Sequence, residues 1–515
     1  MAPQSSTKTR AHTIWSEKRL VGICLFISLA QFQYGYDSAA VSGFQSMPGF
    51  LAIFGYVDPT NPIGYNLTTK VQTLIQSLMN VGALVCCLVM FKFGGHISPR
   101  TGLWAASFFG AVSIATQIGS EHLAALYVGR VLLGISNGFF STYSVIYIGE
   151  SAPAYLRGAA IGMVAFQIYF GSLIGILVDN YTHVHTGRKS YQIPLGVMFV
   201  VPLLISTALF FLPETPRYYV ATGQEDKAAA AIRKLRGVKD EVQLRKDVAI
   251  MKNAWLQELE TGSSVDLLDA FRGTDLRRTL LTIAVALGQA ASGMFFMSAF
   301  SVYFFVQAHV GKPFTWVTVS LAIALSGTIL SFPAVRFLDR RHLLIGSSCV
   351  NFAVMLTIAI IYTVVPGSQA SGEVLIGLTC IFVWMYGFGQ GPVLWALQTE
   401  IPSQRFRSQT IGLSQGVSFV ASWVTSYCSP YFINPEALDW GPKYLYIWGC
   451  SNLILAVFVF FFVPETRGRS LEQLDELFSK RVPARKFKAY VTDLQQVDAD
   501  DYIEEITLDE KVEVA

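Results

Sequence analysis

Charge is scarce in this chain: 14% of its 515 residues are Asp, Glu, Lys or Arg, 52% are apolar, and Phe alone contributes 37. A soluble domain carries about 25% charge, so this composition excludes an ordinary water-soluble protein and identifies an integral membrane protein. The formal net charge of +3 is no sign of a nucleic-acid partner, because the basic residues are distributed by membrane side. Also missing is any disulfide framework: all seven cysteines (Cys24, Cys86, Cys87, Cys349, Cys380, Cys428, Cys450) fall in apolar stretches, where they behave as small apolar residues. The chain has no nucleotide-binding Gly-rich loop, no metal-ligand cluster and no Ser/His/Asp or Cys/His grouping. No enzyme, cofactor or metal site is expected. His96, His183, His185, His309 and His342 are scattered over loops and span ends and read as surface residues.

What the sequence does have is length without charge. Stretches of roughly 20 apolar residues, enough to cross a bilayer, occur at about twelve places. They run near 20–43, 72–93, 102–119, 123–147, 159–178 and 194–212, and again near 279–306, 316–336, 343–365, 373–397, 408–432 and 443–463. The first follows a basic lead (Lys8, Arg10, Lys18, Arg19), but it is too long for a signal peptide and is interrupted by Asp37, so it reads as a retained helix. The run PETPRYYV (Pro213 to Val220) returns as PETRGRSLEQL (Pro464 to Leu474), each time after a charge-free stretch. A doubled set of membrane helices, each half ending in the same motif, is the plan of a transporter built around a central site.

Basic residues crowd the N-terminal tail, the segment 213–278, the turns at Arg336, Arg340, Arg341 and at Arg405, Arg407, and the C-terminal tail. The positive-inside rule then places both tails and the middle segment in the cytoplasm. The expected organisation is a cytoplasmic tail (1–19), a six-helix bundle (20–212), a cytoplasmic linker with short helices (213–278), a second six-helix bundle (279–463) and a cytoplasmic C-terminal segment (464–515), acidic and disordered after 490. EDKAAAAIRKLRG (Glu225 to Gly237) is a helix candidate in the linker. Two glycosylation sequons, at Asn66 and Asn180, fall in loops assigned to the outside.

GRVLLGISNG (Gly129 to Gly138), YIGESAPAYLRG (Tyr147 to Gly158), PETPRYYV, GPVLWALQTEIPSQRFR (Gly391 to Arg407) and PETRGRSLEQL follow one another in the order and spacing of a known family. Across nearly its whole length the chain resembles the sugar porter family of the major facilitator superfamily, and EIPSQRFRS resembles the fungal alpha-glucoside permeases most. The resemblance implies an all-α membrane protein of twelve transmembrane helices in two pseudo-symmetric six-helix bundles, acting as a monomer in the fungal plasma membrane on a small-molecule, carbohydrate-like substrate.

The family motifs set up a cytoplasmic gate of charges at helix ends: Glu150 with Arg157, Glu214 with Arg217, Asp339 with Arg340, Glu400 with Arg405 or Arg407, and Glu465 with Arg467. Ion pairs between the halves there would bias alternating access without touching substrate; as solvated helix-end charges they would each contribute under about 1 kcal/mol. One copy of the gate motif is altered at GGHISPRTGLW (Gly94 to Trp104), with Pro99 at the family's acidic position, and the other has His342 in place of the usual glycine. Asp37 within a span is costly unless paired, protonated or facing water. Arg130 is its obvious partner, and the matching pair couples proton and sugar movement in proton-driven members. The alternative is a permanent ion pair that never titrates.

By motif position Gln167, Gln289 and Trp395 match the family's sugar contacts, as side-chain amides and an aromatic ring should for a hydroxyl-rich ligand. The seventh span departs from the pattern, with Ala290 and Phe295 where a glutamine and an asparagine are usual. Phe295 then lines the pocket, and Tyr303, Ser298, Gln390 or Gln398 supply replacement hydrogen bonds, or else the cargo is less hydroxylated than a sugar. Three functions follow. The first is a proton-coupled sugar transporter, with the proton gradient in place of a cofactor. The second is a carrier or exporter of an aromatic or secondary metabolite. The third is a non-transporting sugar sensor, against which a C-terminal tail of only about 35 to 50 residues argues.

Overall fold

A computed structural model of the chain describes residues 18–492, apart from 60–63, 94–96, 152–153, 186, 238–240, 263–269, 309, 366–367, 404–405 and 470. Ten stretches are long and apolar enough to cross a membrane. Two further helices, Lys18–Phe44 and Arg407–Ile433, are as long but more polar. They bury that polarity, Gln31, Gln33 and Asp37 in one and Ser414, Ser418, Ser422 and Ser426 in the other. These are the first and eleventh of twelve spans. The second to fifth are Thr69–Phe93, Pro99–Ile118, Leu123–Ser151 and Ala154–Thr182; the sixth is Lys189–Val197 continued by Val200–Phe211. The seventh is Gly273–Ala291 and Met294–Gln307, the eighth Pro313–Phe337, the ninth Arg340–Val364, the tenth Gln369–Met385 through Gly391–Glu400, and the twelfth Leu445–Phe462.

The first span starts, and the twelfth ends, on one face of the molecule, termed basal here; the opposite face is distal. At the distal end a single apolar cluster runs through both halves, from Phe44, Phe50 and Tyr191 to Phe296, Phe300 and Trp448. At the basal end the core is split in two. Leu20, Phe140, Tyr147 and Leu209 pack within the first bundle, and Leu344, Leu397, Val459 and Phe478 within the second. The halves are joined distally and separate basally.

The seventh and tenth spans are broken. Gly293 separates the two helices of the seventh with φ +82°, a left-handed conformation that side chains resist, and it is packed so closely that an added Cβ would lie 3.0 Å from Trp448. The carbonyl of Ser292, freed by the break, accepts from Asn452 Nδ2 of the twelfth span at 3.0 Å. In the tenth span Tyr386–Gln390 forms a π-turn, a local rewinding common at functional sites. Apolar surroundings leave no water to satisfy such backbone groups, so breaks persist only where other spans supply partners or a cavity is lined.

Between the bundles lie Pro216–Ala221, Glu225–Arg236 and Glu241–Gly262, held by Val220, Ile232, Leu244 and Val248. The second of these is the Ala-rich helix expected from Glu225, closed by Gly237 in the left-handed conformation. After the twelfth span Leu471–Ser479 forms a helix, and the chain beyond it returns to the base of the second bundle. There Arg469 Nη2 donates to the carbonyls of Phe487 and Tyr490 at 2.9 and 2.6 Å. Lys8, Arg10, His96, His309, Arg405 and the acidic tail from 493 lie outside the described residues.

Candidate functional site

Asp37 and Arg130 meet in the interior of the first bundle. Nη1 of Arg130 donates to Asp37 Oδ1 at 2.7 Å and neither side chain has exposed surface. The rest of the guanidinium is used on the Ile75 carbonyl, 2.9 Å from Nε, and on the Met79 sulfur. Asp37 Oδ2 has no hydrogen-bond partner among the described residues. Asp37 has this one ion pair among the described residues, and removing one partner of a buried pair costs about 3–5 kcal/mol.

A belt of amides and phenols surrounds that level of the molecule. Tyr34, three residues before Asp37, interacts electrostatically with it. Tyr386 of the tenth span lies within electrostatic reach of Tyr34 and of Tyr169 on the fifth, so three phenols bridge the halves. Gln167, two residues before Tyr169, is buried with its Oε1 unpartnered among the described residues. On the opposite wall Gln289 Nε2 donates to Gln398 Oε1 at 3.4 Å, and Gln398 Nε2 donates to Ser414 Oγ at 2.8 Å and to Gln415 Oε1 at 3.3 Å. Trp395 is 41% exposed and Phe295 half-buried.

Two candidates have other engagements. Gln390 accepts from Asn351 Nδ2 and donates to Ser348 Oγ and Asn452 Oδ1, each at 2.8 Å. It thus ties the tenth span to the ninth and twelfth and, through Asn452, supports the break at Ser292. The Tyr303 hydroxyl donates to Asn66 Oδ1 at 3.2 Å, at the distal closure.

At the base, the two PET motifs do the same job twice. Glu214 accepts the backbone N–H of Arg100 at 3.1 Å, at the start of the third span. Glu465 accepts those of Arg340 and Arg341 at 3.2 and 3.0 Å, at the start of the ninth. A carboxylate at a helix N-terminus satisfies free N–H groups and meets the positive end of the helix dipole. Arg100 then donates to the Leu209 carbonyl at 3.0 and 2.6 Å, and Arg341 to the Phe460 carbonyl.

Several of the gate charges have partners among the described residues. Arg340 pairs with Glu400, Asp339 with Arg467 at 3.3 Å and Lys488 at 2.6 Å, and Thr215 Oγ1 donates to Glu150 Oε2 at 2.6 Å. Each of these contacts stays within one half, as it must while the basal ends stand apart. Arg217 is exposed, and the side chains of Arg157 and Arg407 lie outside the described ones.

The distal seam is closed mostly by neutral groups, joined at its rim by Glu436, which accepts from the Tyr56 hydroxyl across the halves. Ser38 pairs with Ser298 at 2.6 Å and Ser42 with Ser301 at 3.2 Å. Gln76 Nε2 donates to the Ala299 carbonyl at 2.8 Å. Asn80 donates to Ser426 and accepts from Ser422, both at 3.2 Å. Both sequons are drawn into this region. Asn66 is 2% exposed and its Nδ2 donates to Asp58 at 3.1 Å. Asn180 is half-buried and accepts from Thr315 at 3.4 Å.

The family model described as "Sugar (and other) transporter" matches residues 23–478. The chain belongs to the sugar transporter family. It is similar to the high glucose sensor RGT2 of Saccharomyces cerevisiae, with 29% identity over 472 residues that cover 90% of this chain and 60% of that protein. It therefore spans less than two thirds of that sensor's length. It is also similar to the major facilitator-type transporter ecdD of Aspergillus rugulosus, with 26% identity over 476 residues, 89% of this chain and 87% of that one. Its fold resembles the partially occluded inward open conformation of the xylose transporter XylE from E. coli, with a TM-score of 0.72 at 19% identity, covering 88% of this chain and 100% of the other.

As a member of the sugar transporter family the chain is a multi-pass membrane protein and not an enzyme. Several residues that shape its interior escaped sequence reasoning. Tyr34, Tyr169 and Tyr386 are three among 22 tyrosines, and only the packing of three spans distinguishes them. Asn452 and Asn351 are lone amides in apolar runs, and each becomes informative once Gln390 is seen between them. His183, read as a surface residue, stacks on Phe314 at 4.5 Å with a buried Nδ1. Asp179, inside the fifth span, was passed over altogether.

Proposed function

We propose that this sugar transporter family member moves a sugar or a related polyol or glycoside by proton symport, with its basal face, and so both termini, in the cytoplasm of a cell whose plasma membrane it spans. The observation that carries the reading is the isolated Asp37–Arg130 pair beside a polar belt. A proton on Asp37 releases Arg130, whose remaining contacts are a carbonyl and a sulfur, and so changes the packing of the first, second and fourth spans against one another. Gln167, Gln289 and Gln398 offer donors and acceptors to hydroxyls, and Trp395 and Phe295 offer rings to the apolar sugar face. In this conformation the distal seam is shut and the substrate leaves or enters from the basal side.

A second reading, a carrier for a less polar metabolite, is favoured by the seventh span, where Ala290 and Phe295 stand at positions the family fills with amides. The deciding experiment expresses the chain in yeast devoid of its own hexose and maltose carriers and measures uptake of radiolabelled glucose, xylose, maltose and lactose, with and without a protonophore. Protonophore-sensitive accumulation of one of them supports symport. Binding of glucose to the purified protein without uptake identifies a sensor, as the name of the RGT2 relative suggests, and neither binding nor uptake of any of the four points to the metabolite carrier.

A further inference from the structure

Asp179 is a second fully buried carboxylate within the first bundle's spans, and it is held quite differently from Asp37. It lies on the fifth span three residues from that helix's distal end at Thr182, with no exposed surface, and neither of its oxygens has a hydrogen-bond partner among the described residues. It rests on the bare backbone of the first span: a Cβ added at Gly43 would lie 1.9 Å from Asp179 Oδ2. The titratable groups around it are engaged elsewhere or neutral. Tyr36 of the first span interacts with it but donates its hydroxyl to the Pro194 carbonyl at 3.0 Å. From the fourth span Arg130 is given over to Asp37, Ile75 and Met79. Tyr191 of the sixth span packs on Phe50 and Phe54, and Lys189 at the start of that span is exposed. His183, one turn further along, faces Phe314. The eighth span carries Arg336 at the opposite end, and Lys312, which caps its distal end, is exposed.

An ionised carboxylate buried without a counter-charge costs several kcal/mol and takes up a proton instead. The position of this group ties that proton to the state of the distal seam. Ser42, next to Gly43, pairs with Ser301 and accepts the Val302 N–H at 3.2 Å across the halves. Asn180, next to Asp179, accepts from Thr315 across the same seam. The carboxyl therefore sits between two contacts that exist only while the seam is closed.

We propose that Asp179 is a proton-binding site that senses pH on the distal side and favours closure of the distal seam. With the seam open, water reaches the carboxylate. A proton from the distal aqueous phase forms the O–H bond, the neutral acid packs on Gly43, and the seam closes; reopening returns the proton to the same phase. This proton is separate from the one exchanged at Asp37 and does not add to the transport stoichiometry. The inference rests on the alternating-access reading above, with the distal face outside.

The test uses the purified full chain in lipid nanodiscs without substrate. Infrared difference spectroscopy is expected to show a protonated-carboxyl band at neutral pH that Asp179→Asn removes and Asp37→Asn retains. Spin labels at Val57→Cys and Leu438→Cys, exposed positions on the distal loops of the two halves, are expected to report a closed-to-open ratio that rises by up to about tenfold per unit fall in pH. In Asp179→Asn the pair is expected to stay closed at every pH. The proposal is overturned if the band survives in Asp179→Asn, or if the labels of that variant follow pH as the wild type does. Should Asp179→Asn not fold, Asp179→Ser replaces it, and a wild type with no protonated-carboxyl band overturns the proposal by itself. Both signals are read without sugar, so failed uptake bears on the transport reading and failed signals bear on this one.

Discussion

Arg130 reaches Asp37 at 2.7 Å with both side chains fully enclosed, and the second oxygen of Asp37 has no hydrogen-bond partner among the described residues. Most buried carboxylates are satisfied on both oxygens. One left half-satisfied has a free oxygen that a proton can occupy, and on the symport reading the loss of charge there weakens its hold on Arg130.

Asp37→Asn is expected to abolish accumulation against a gradient while leaving downhill flux measurable. Unimpaired accumulation would sink the coupling role. The variant also leaves Arg130 buried without a counter-charge, at a cost of about 3–5 kcal/mol, so its Tm should fall. Adding Arg130→Met should restore much of that stability without restoring accumulation, and thermal unfolding of the three variants checks the order.

Gln289→Ala should weaken substrate binding more than it lowers protein abundance, since among the described residues its side chain's hydrogen bond is a long one to Gln398. Gln390→Ala should do the reverse. It orphans groups on Asn351, Ser348 and Asn452, at about 1–3 kcal/mol for each buried group left unsatisfied. Comparing the dissociation constant with the yield of folded protein separates the two, and equal losses in Gln289→Ala would mark that residue as packing.

Asn80→Ala removes two hydrogen bonds across the distal seam. At about 0.5–1.5 kcal/mol each, the balance should move toward the distally open state. Distances between spin labels on the distal loops would report this, and an unchanged distribution would mean the seam is held by its apolar cluster alone.

Lys488 and Arg467 beside Asp339, with His342 adding a weaker pull, hold its carboxyl below the usual carboxylate range. A depressed value contributes stability above the unfolded carboxylate pKa of about 3.9, and that contribution is lost as pH falls below it. The contact between the C-terminal strap and the ninth span should therefore loosen in acid. Protease sensitivity of residues 480–492 should rise below about pH 4 in the wild type, and Lys488→Met should be sensitive already at neutral pH.

The twelve-span architecture was legible because its signals are local: apolar length, the doubled PET run and the family motifs. Asp37 was legible because a lone acid in a span is conspicuous, and Arg130 because few cations are available to meet it. Asp179 carries the same signal, yet it stands next to a sequon near a span end and was absorbed into a loop. The gate charges were identified by type but not by partner. Which carboxylate meets which guanidinium depends on how far apart the halves stand, a property of conformation rather than of any motif. The phenol belt and the Gln390 network were illegible for a simpler reason: each draws its members from three or more spans, and no periodicity within one helix announces them.

The buried, neutral part of the distal seam has a consequence for salt dependence. Mobile ions screen exposed charges over about 8 Å at physiological ionic strength, while bonds between buried hydroxyls, amides and carbonyls offer them nothing to screen. On the proposed orientation, salinity in the surrounding medium acts on the distal closure chiefly at its rim, where Tyr56 meets Glu436, whereas the base, with its Asp339, Arg467 and Lys488 contacts, presents several charges to the ions of the other compartment.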